Sequence, residues 1–119
     1  MEEATSNLEE IEKEELEILE GLAKHASSED ATFLYFLPGD IKLKRIYNAR
    51  VLVSSLSDCS AKYFANGILS RIEKHYGSAI AFYQFARKNA SDEAGKRIEG
   101  LAKAVEFYVS ANQELSDAA

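Results

Sequence analysis

The chain of 119 residues has no tryptophan, one cysteine, one proline and two histidines. Each scarcity removes a class of explanation. A lone Cys59 cannot close an internal disulfide or build a cysteine-based zinc site, and it reads as a small buried thiol. With six glycines, a single proline and 46% hydrophobic residues, the composition argues against disorder and for one domain able to bury its own core. No apolar run approaches the roughly 20 residues that cross a bilayer. The N-terminus is a string of glutamates rather than a basic stretch leading into an apolar one, so neither an anchor nor a signal peptide is expected and the expected address is cytoplasmic. Metal chemistry is also thin. Leu22 and Ile72 stand three residues before His25 and His75, so the Glu-x-x-His spacing of bundle metal sites is missing, and no cofactor is expected.

Charge is present but unevenly placed. Residues 1–30 carry eleven acidic side chains against Lys13 and Lys24, whereas the rest of the chain carries twelve basic and nine acidic ones, for a net charge of −6. Bulk attraction to nucleic acid is disfavoured. Leu8, Ile11, Leu16, Ile18, Leu19, Leu22 and Ala23 trace a helical stripe on this acidic surface, predicting a first helix over about residues 6–25 with Thr5 or Ser6 at its start. Its acidic face reads as solvated surface, the sharper alternative being a detachable acidic arm.

Ser27 to Asp30 form a loop and N-cap ahead of the dense run Thr32 to Leu37, which Pro38-Gly39 is expected to stop. With no second strand candidate to pair with, the run is read as a short helix buried as a core plug; a binding lip made of Phe33 and Phe36 is the alternative. Asp40 is a good N-cap for a helix over about 41–55, striped by Ile41, Ile46, Ala49, Val53 and Leu56. Its bases Lys42, Lys44, Arg45 and Arg50 are expected to pair with the acidic first helix, and Ser57 or Asp58 to begin the next one.

From residue 58 to 89 the stripe Ala61, Ala65, Ile68, Ile72, His75, Ala79, Phe82, Ala86 never loses phase, which permits one long helix. Gly77 costs about 1 kcal/mol inside a helix, and so alanine-rich a stripe does not support an isolated rod. A hairpin turning near Glu73 to Tyr76 is therefore predicted. Gly67, Ala79 and Ala86 let its two backbones approach, with Tyr83 filling the space beside them. Ser91 caps a last helix over about 93–115, with Ile98, Leu101, Ala102, Val105, Phe107, Tyr108, Ala111 and Leu115 on its inner side and the tail from Ser116 fraying.

Tyr63, Gly67, Tyr76, Ala79, Tyr83 and Ala86 are spaced as in the signature of one tetratricopeptide repeat, so residues 61–91 resemble a single such repeat, with no second copy following at the expected period. Lys103, Glu106, Phe107 and Ala111, together with the Tyr76 to Ile80 pattern, resemble the third and second helices of microtubule-interacting and trafficking (MIT) domains. Ser110 and Asn112 stand where that family has Arg and Glu. The resemblance implies a helical bundle that binds short tails of partner proteins beside its third helix. Arg71, His75 and Tyr76 also resemble the motif of HEPN-type helical ribonucleases, though with three rather than at least four residues between Arg and His. A buried or interfacial His75 is the reading preferred here.

The expectation is thus an all-α, up-and-down bundle of four to five helices with a TPR-like or MIT-like C-terminal half. It forms a single domain divided into an acidic helix (1–30), a short apolar helix and a basic helix (31–57), and a central hairpin with the last helix (58–119). The expected function is non-catalytic: a protein-interaction module holding a helical or extended peptide between the last helix and the hairpin. Lys103, Glu106 and Phe107 come from the resemblance, with Tyr63, Tyr76 and Tyr83 as groove walls. The partner is a protein or peptide, with no nucleic acid or membrane insertion. The alternatives are an RNA-binding or RNA-cleaving domain using Arg71 and His75, and a self-associating bundle, such as a homodimer, of structural role.

Overall fold

The structure is a computed structural model describing the backbone of residues 2–112 and the side chains of residues 8–112. Six helices follow one another: α1 (Glu2–Ala23), α2 (Ser28–Lys42), α3 (Ile46–Ser54), α4 (Ser60–Ile72), α5 (Tyr76–Lys88) and α6 (Asp92–Ala111). No strand occurs among the described residues. The described residues are all-α as expected, in six helices rather than four or five. Leu115 and the tail from Ser116 lie outside the described residues. Because α1 already begins at Glu2, neither Thr5 nor Ser6 is its N-cap.

Ser91 is the cap expected of it and Ser27 caps α2, their hydroxyls accepting from the N–H groups of Ala94 and Asp30; Ser28, Glu29 and Asp30, read as loop, already form the first turn of α2. Pro38, by contrast, does not stop its helix. A proline inside a helix removes a bond to the carbonyl four residues back and costs about 3 kcal/mol. Leu34, Leu37 and Ile41 are all buried on one face of α2, and each buried aliphatic side chain is worth about 1.5–3 kcal/mol. Burial wins, and α2 continues to Lys42. Asp40 therefore lies inside α2, and α3 begins at Ile46 behind Arg45, which makes no side-chain capping bond. Likewise α4 starts at Ser60 behind Cys59, not at Ser57 or Asp58.

The predicted break between Glu73 and Tyr76 is present, and it has a twin. Lys44 (φ 59°) and Lys74 (φ 67°) are the non-glycine residues with positive φ among the described ones. After α2, Leu43 N–H donates to the Gly39 carbonyl (3.0 Å) and Arg45 N–H to that of Asp40 (2.8 Å). After α4, Glu73 N–H donates to the Leu69 carbonyl (3.1 Å) and His75 N–H to that of Ser70 (2.8 Å). Both are helix ends closed by a six-to-one bond with a left-handed residue. All these positions are offset by thirty residues, so α2–α3 and α4–α5 are one hairpin built twice. Buried positions keep the same register: Leu34 and Phe64, Leu37 and Gly67, Ile41 and Arg71, Ala49 and Ala79, Val53 and Tyr83, Leu56 and Ala86.

The close approach read from Gly67 is real. A Cβ there would stand 2.7 Å from Tyr83 Cε1 and 3.2 Å from the Ala79 carbonyl oxygen. Helix α6 covers α5, while α1 lies across α2, α4 and α6. Ile11, Ile18, Leu19 and Leu22 of α1 are buried in the common core. The acidic helix is thus an integral layer, which corrects the alternative of a detachable arm.

Candidate functional site

The most polar point of the core joins three helices. Glu15, on α1, is buried and accepts from Arg71 Nε and Nη2 of α4 at 2.7 Å each, and from the Tyr83 hydroxyl of α5 at 2.6 Å. Burial pushes the Glu15 carboxyl above its ordinary 4.5, against the opposing pull of Arg71 and Tyr83. Tyr83 is raised well above 10.0, first by burial and then by the neighbouring carboxylate. No polar atom of the group is left without a partner among the described residues. It closes on itself and offers nothing to a substrate, so it is a positioning device for α1.

This arrangement corrects two expectations. Tyr83 is a core residue, not a groove wall. His75 does not continue the buried stripe: the left-handed Lys74 shifts the phase, and His75 is exposed at the start of α5. Arg71 and His75 are not brought into one site, because Arg71 turns inward to Glu15.

The other predicted site residues are scattered. Tyr63 is half-buried against Phe85 (ring centroids 6.0 Å apart), and Tyr76 is half-buried against Tyr108 (6.4 Å). The Tyr76–Tyr108 pair spans α5 and α6, beside which the peptide groove was expected. Lys103, 3.7 Å from Glu99, and Glu106 are exposed. Phe107 is 64% exposed rather than on the inner side of α6, and it edges a groove of about 530 Å³ between α1 and α6, with Ile11, Leu101 and Ala104. A second concavity, of about 650 Å³, lies at the end of the bundle between Leu22, Cys59, Asn89 and Ala94. No cluster of three or more metal-ligating side chains occurs among the described residues, and none of the described helices is long and apolar enough to cross a membrane.

The third concavity is the most apolar in its side chains. Phe36, Leu43, Tyr47, Val51 and Leu52 line a trough of about 630 Å³ between α2 and α3, with Gly39, Asp40, Arg45 and Asn48. Tyr35 adjoins it, edge-on to Phe36 at 5.2 Å. The run read as a buried plug is thus only half buried: Leu34 and Leu37 point inward, whereas Tyr35 and Phe36 point out. Of the seven large apolar side chains exposed among the described residues, five (Tyr35, Phe36, Leu43, Tyr47 and Val51, 48–79% exposed) belong to this hairpin or its turn. No described residue packs over them. The second hairpin provides an internal control, since thirty residues on the same positions hold Asn66, Glu73, Gly77 and Ala81 where the first holds Phe36, Leu43, Tyr47 and Val51. Glu73, Gly77 and Ala81 are exposed in their turn, so solvent-facing places filled by polar or small residues in one copy carry large apolar ones in the other.

The bases around this hairpin pair in three directions. Lys44 Nζ reaches Glu12 of α1 at 2.7 Å, as expected of the acidic helix, but Arg45 lies 3.8 Å from Asp40 and Arg50 pairs with Glu73. Asp30 anchors the start of α2. Its carboxylate accepts from the N–H of Ser57 at 3.0 Å and from the Ser57 hydroxyl, and these bonds hold it below its ordinary 3.8. The buried Glu15 escaped sequence reasoning, as did the exposure of Leu43, Tyr47 and Val51; of the alternative binding lip, Phe36 is exposed while Phe33 is half-buried against the core. Phe36 and Tyr47 did carry a signal, being aromatics off the apolar stripe of their helices. Comparison of the chain with known protein families, curated proteins and solved structures gives no match.

Proposed function

We propose that the protein is a non-catalytic protein-interaction module that holds an amphipathic helix of a partner protein in the trough between α2 and α3. One observation carries this reading: Phe36, Leu43, Tyr47 and Val51 occupy places that the twin hairpin fills with Asn66, Glu73, Gly77 and Ala81. Folding the hairpin does not require apolar residues there. A contiguous apolar patch on a small domain is a recognised mark of a binding surface.

The shape fits a helix. Phe36 and Leu43 form one ridge and Tyr47 and Val51 the other, with the floor open beside Gly39, where nothing lies within 4 Å of an added Cβ. A third helix would lay its own ridge between them, its apolar residues at three- and four-residue spacing. The basic rim supplies charge for the flanks of such a helix. The test is titration of isotope-labelled protein with designed amphipathic helical peptides. Chemical-shift changes centred on Phe36, Leu43, Tyr47 and Val51 are expected. Changes centred instead on Lys103, Glu106 and Phe107, or none at all, would overturn the assignment.

A further inference from the structure

We infer that the helix held in the trough is acidic, with glutamate or aspartate flanking its apolar stripe; this rests on the reading of the α2–α3 face as a helix-binding surface. From residue 40 to 51 the chain has Lys42, Lys44, Arg45 and Arg50 against the single acid Asp40, in a protein whose net charge is −6. Lys42 follows Tyr35 and Gly39 at helical spacing, along the stripe next to that of Phe36, Asp40 and Leu43. It is exposed and has no ionic partner among the described residues. Arg45 stands in the wall of the trough at its turn end; its side chain is 59% exposed and only loosely tied to Asp40 at 3.8 Å. Arg50 pairs with Glu73 and Lys44 with Glu12, so the bases of the rim left for a partner are Lys42 and Arg45.

The molecule already shows the kind of helix that suits such surroundings. α1 is amphipathic and acidic, and bases from three elements meet it: Lys44 takes Glu12, Arg71 takes Glu15, and Arg97 of α6 takes Glu14 and Glu17. The trough repeats an apolar floor with a basic rim on the outer side of the same hairpin, with no acidic helix upon it among the described residues. A second copy docking by the same face would set two basic rims against each other. A lipid surface has no ridge to offer a trough between two helices.

Fluorescence anisotropy with two labelled helical peptides sharing one Leu/Ile stripe, one flanked by Glu and one by Lys, tests the inference. At low salt the Glu peptide should bind about tenfold more tightly or better. The preference should shrink in high salt and reverse in the double variant Lys42→Glu, Arg45→Glu. A second variant, Phe36→Asp with Tyr47→Asp, should lose both peptides while keeping the helical circular-dichroism spectrum. Equal affinities, or preference for the Lys peptide, overturn the acidic assignment and leave the helix-binding reading standing. Binding of neither peptide overturns that reading itself. So would binding of phosphatidylserine vesicles alone, or a dimer seen by light scattering that the Asp variant abolishes.

Discussion

Where the first hairpin has Leu37 and Val53, the second has Gly67 and Tyr83. Both pairs are buried at equivalent places, and the bulkier residue sits on the first helix in one hairpin and on the second in the other. Ile41 and Arg71 differ more sharply. One is an ordinary core residue, while the other brings a charge inside and meets Glu15 of α1. The outer faces differ in the opposite sense: Phe36, Leu43, Tyr47 and Val51 on the first hairpin stand where the second has Asn66, Glu73, Gly77 and Ala81. One backbone design thus carries polarity inward in one copy and apolar surface outward in the other. The second copy holds the molecule together, and the first is left with something to offer.

Substitutions at equivalent places break this comparison where it is strongest. Arg71→Ala should cost about 3–5 kcal/mol in chemical denaturation, because the buried Glu15 loses its partner. Next comes Gly67→Ala. The new Cβ meets the buried Tyr83 ring and the Ala79 carbonyl, neither of which can move aside, and overpacking of that kind costs about 1–3 kcal/mol. The equivalent place in the first hairpin already holds Leu37, so Leu37→Ala there acts by leaving a cavity rather than by a clash.

Asp30→Asn should cost about 1 kcal/mol at neutral pH through weakened bonds from Ser57. The sign follows from the lowered carboxyl: the stabilisation is complete above the ordinary 3.8 and is lost as pH falls through the lower folded value. The gap between wild type and variant should therefore narrow in acid, which thermal melts along a pH series will read. The smallest effect is the most telling. Resurfacing α2–α3 by Phe36→Asn or Val51→Ala should shift stability by under about 0.5 kcal/mol each, as befits side chains that hold no part of the fold.

The second hairpin was largely legible in the sequence, since Gly67, Ala79, Tyr83 and Ala86 announce close helix packing and Gly77 weighs against a continuous rod. Its twin was not. Across the thirty-residue offset few positions are identical, Lys44 and Lys74 or Ala49 and Ala79 among them, while at Leu37 and Val53 against Gly67 and Tyr83 the bulkier side chain moves from the first helix to the second. Such compensation is invisible to a search for repeated letters. Pro38 misled because local propensity was set against burial of Leu34, Leu37 and Ile41, which only the tertiary structure reveals. Glu15 looked like one more acid on an acidic face, its partners lying 56 and 68 residues away. Of the residues expected to bind a peptide, Phe107 lies beside a groove, Tyr83 is in the core, and Tyr76 is paired with Tyr108 across α5 and α6.

The position of α1 also bears on the order in which the protein can be made. Hairpins and their neighbours join residues close in sequence, contacts that form early and fast. The bonds of α1 to Arg71, Tyr83 and Arg97 join it to parts of the chain synthesised long after it. On the ribosome Glu15 must remain hydrated while both hairpins emerge and fold, and can surrender its water only when Arg71 and Tyr83 are both in place. The buried carboxylate of α1 thus waits for partners that only α4 and α5 supply.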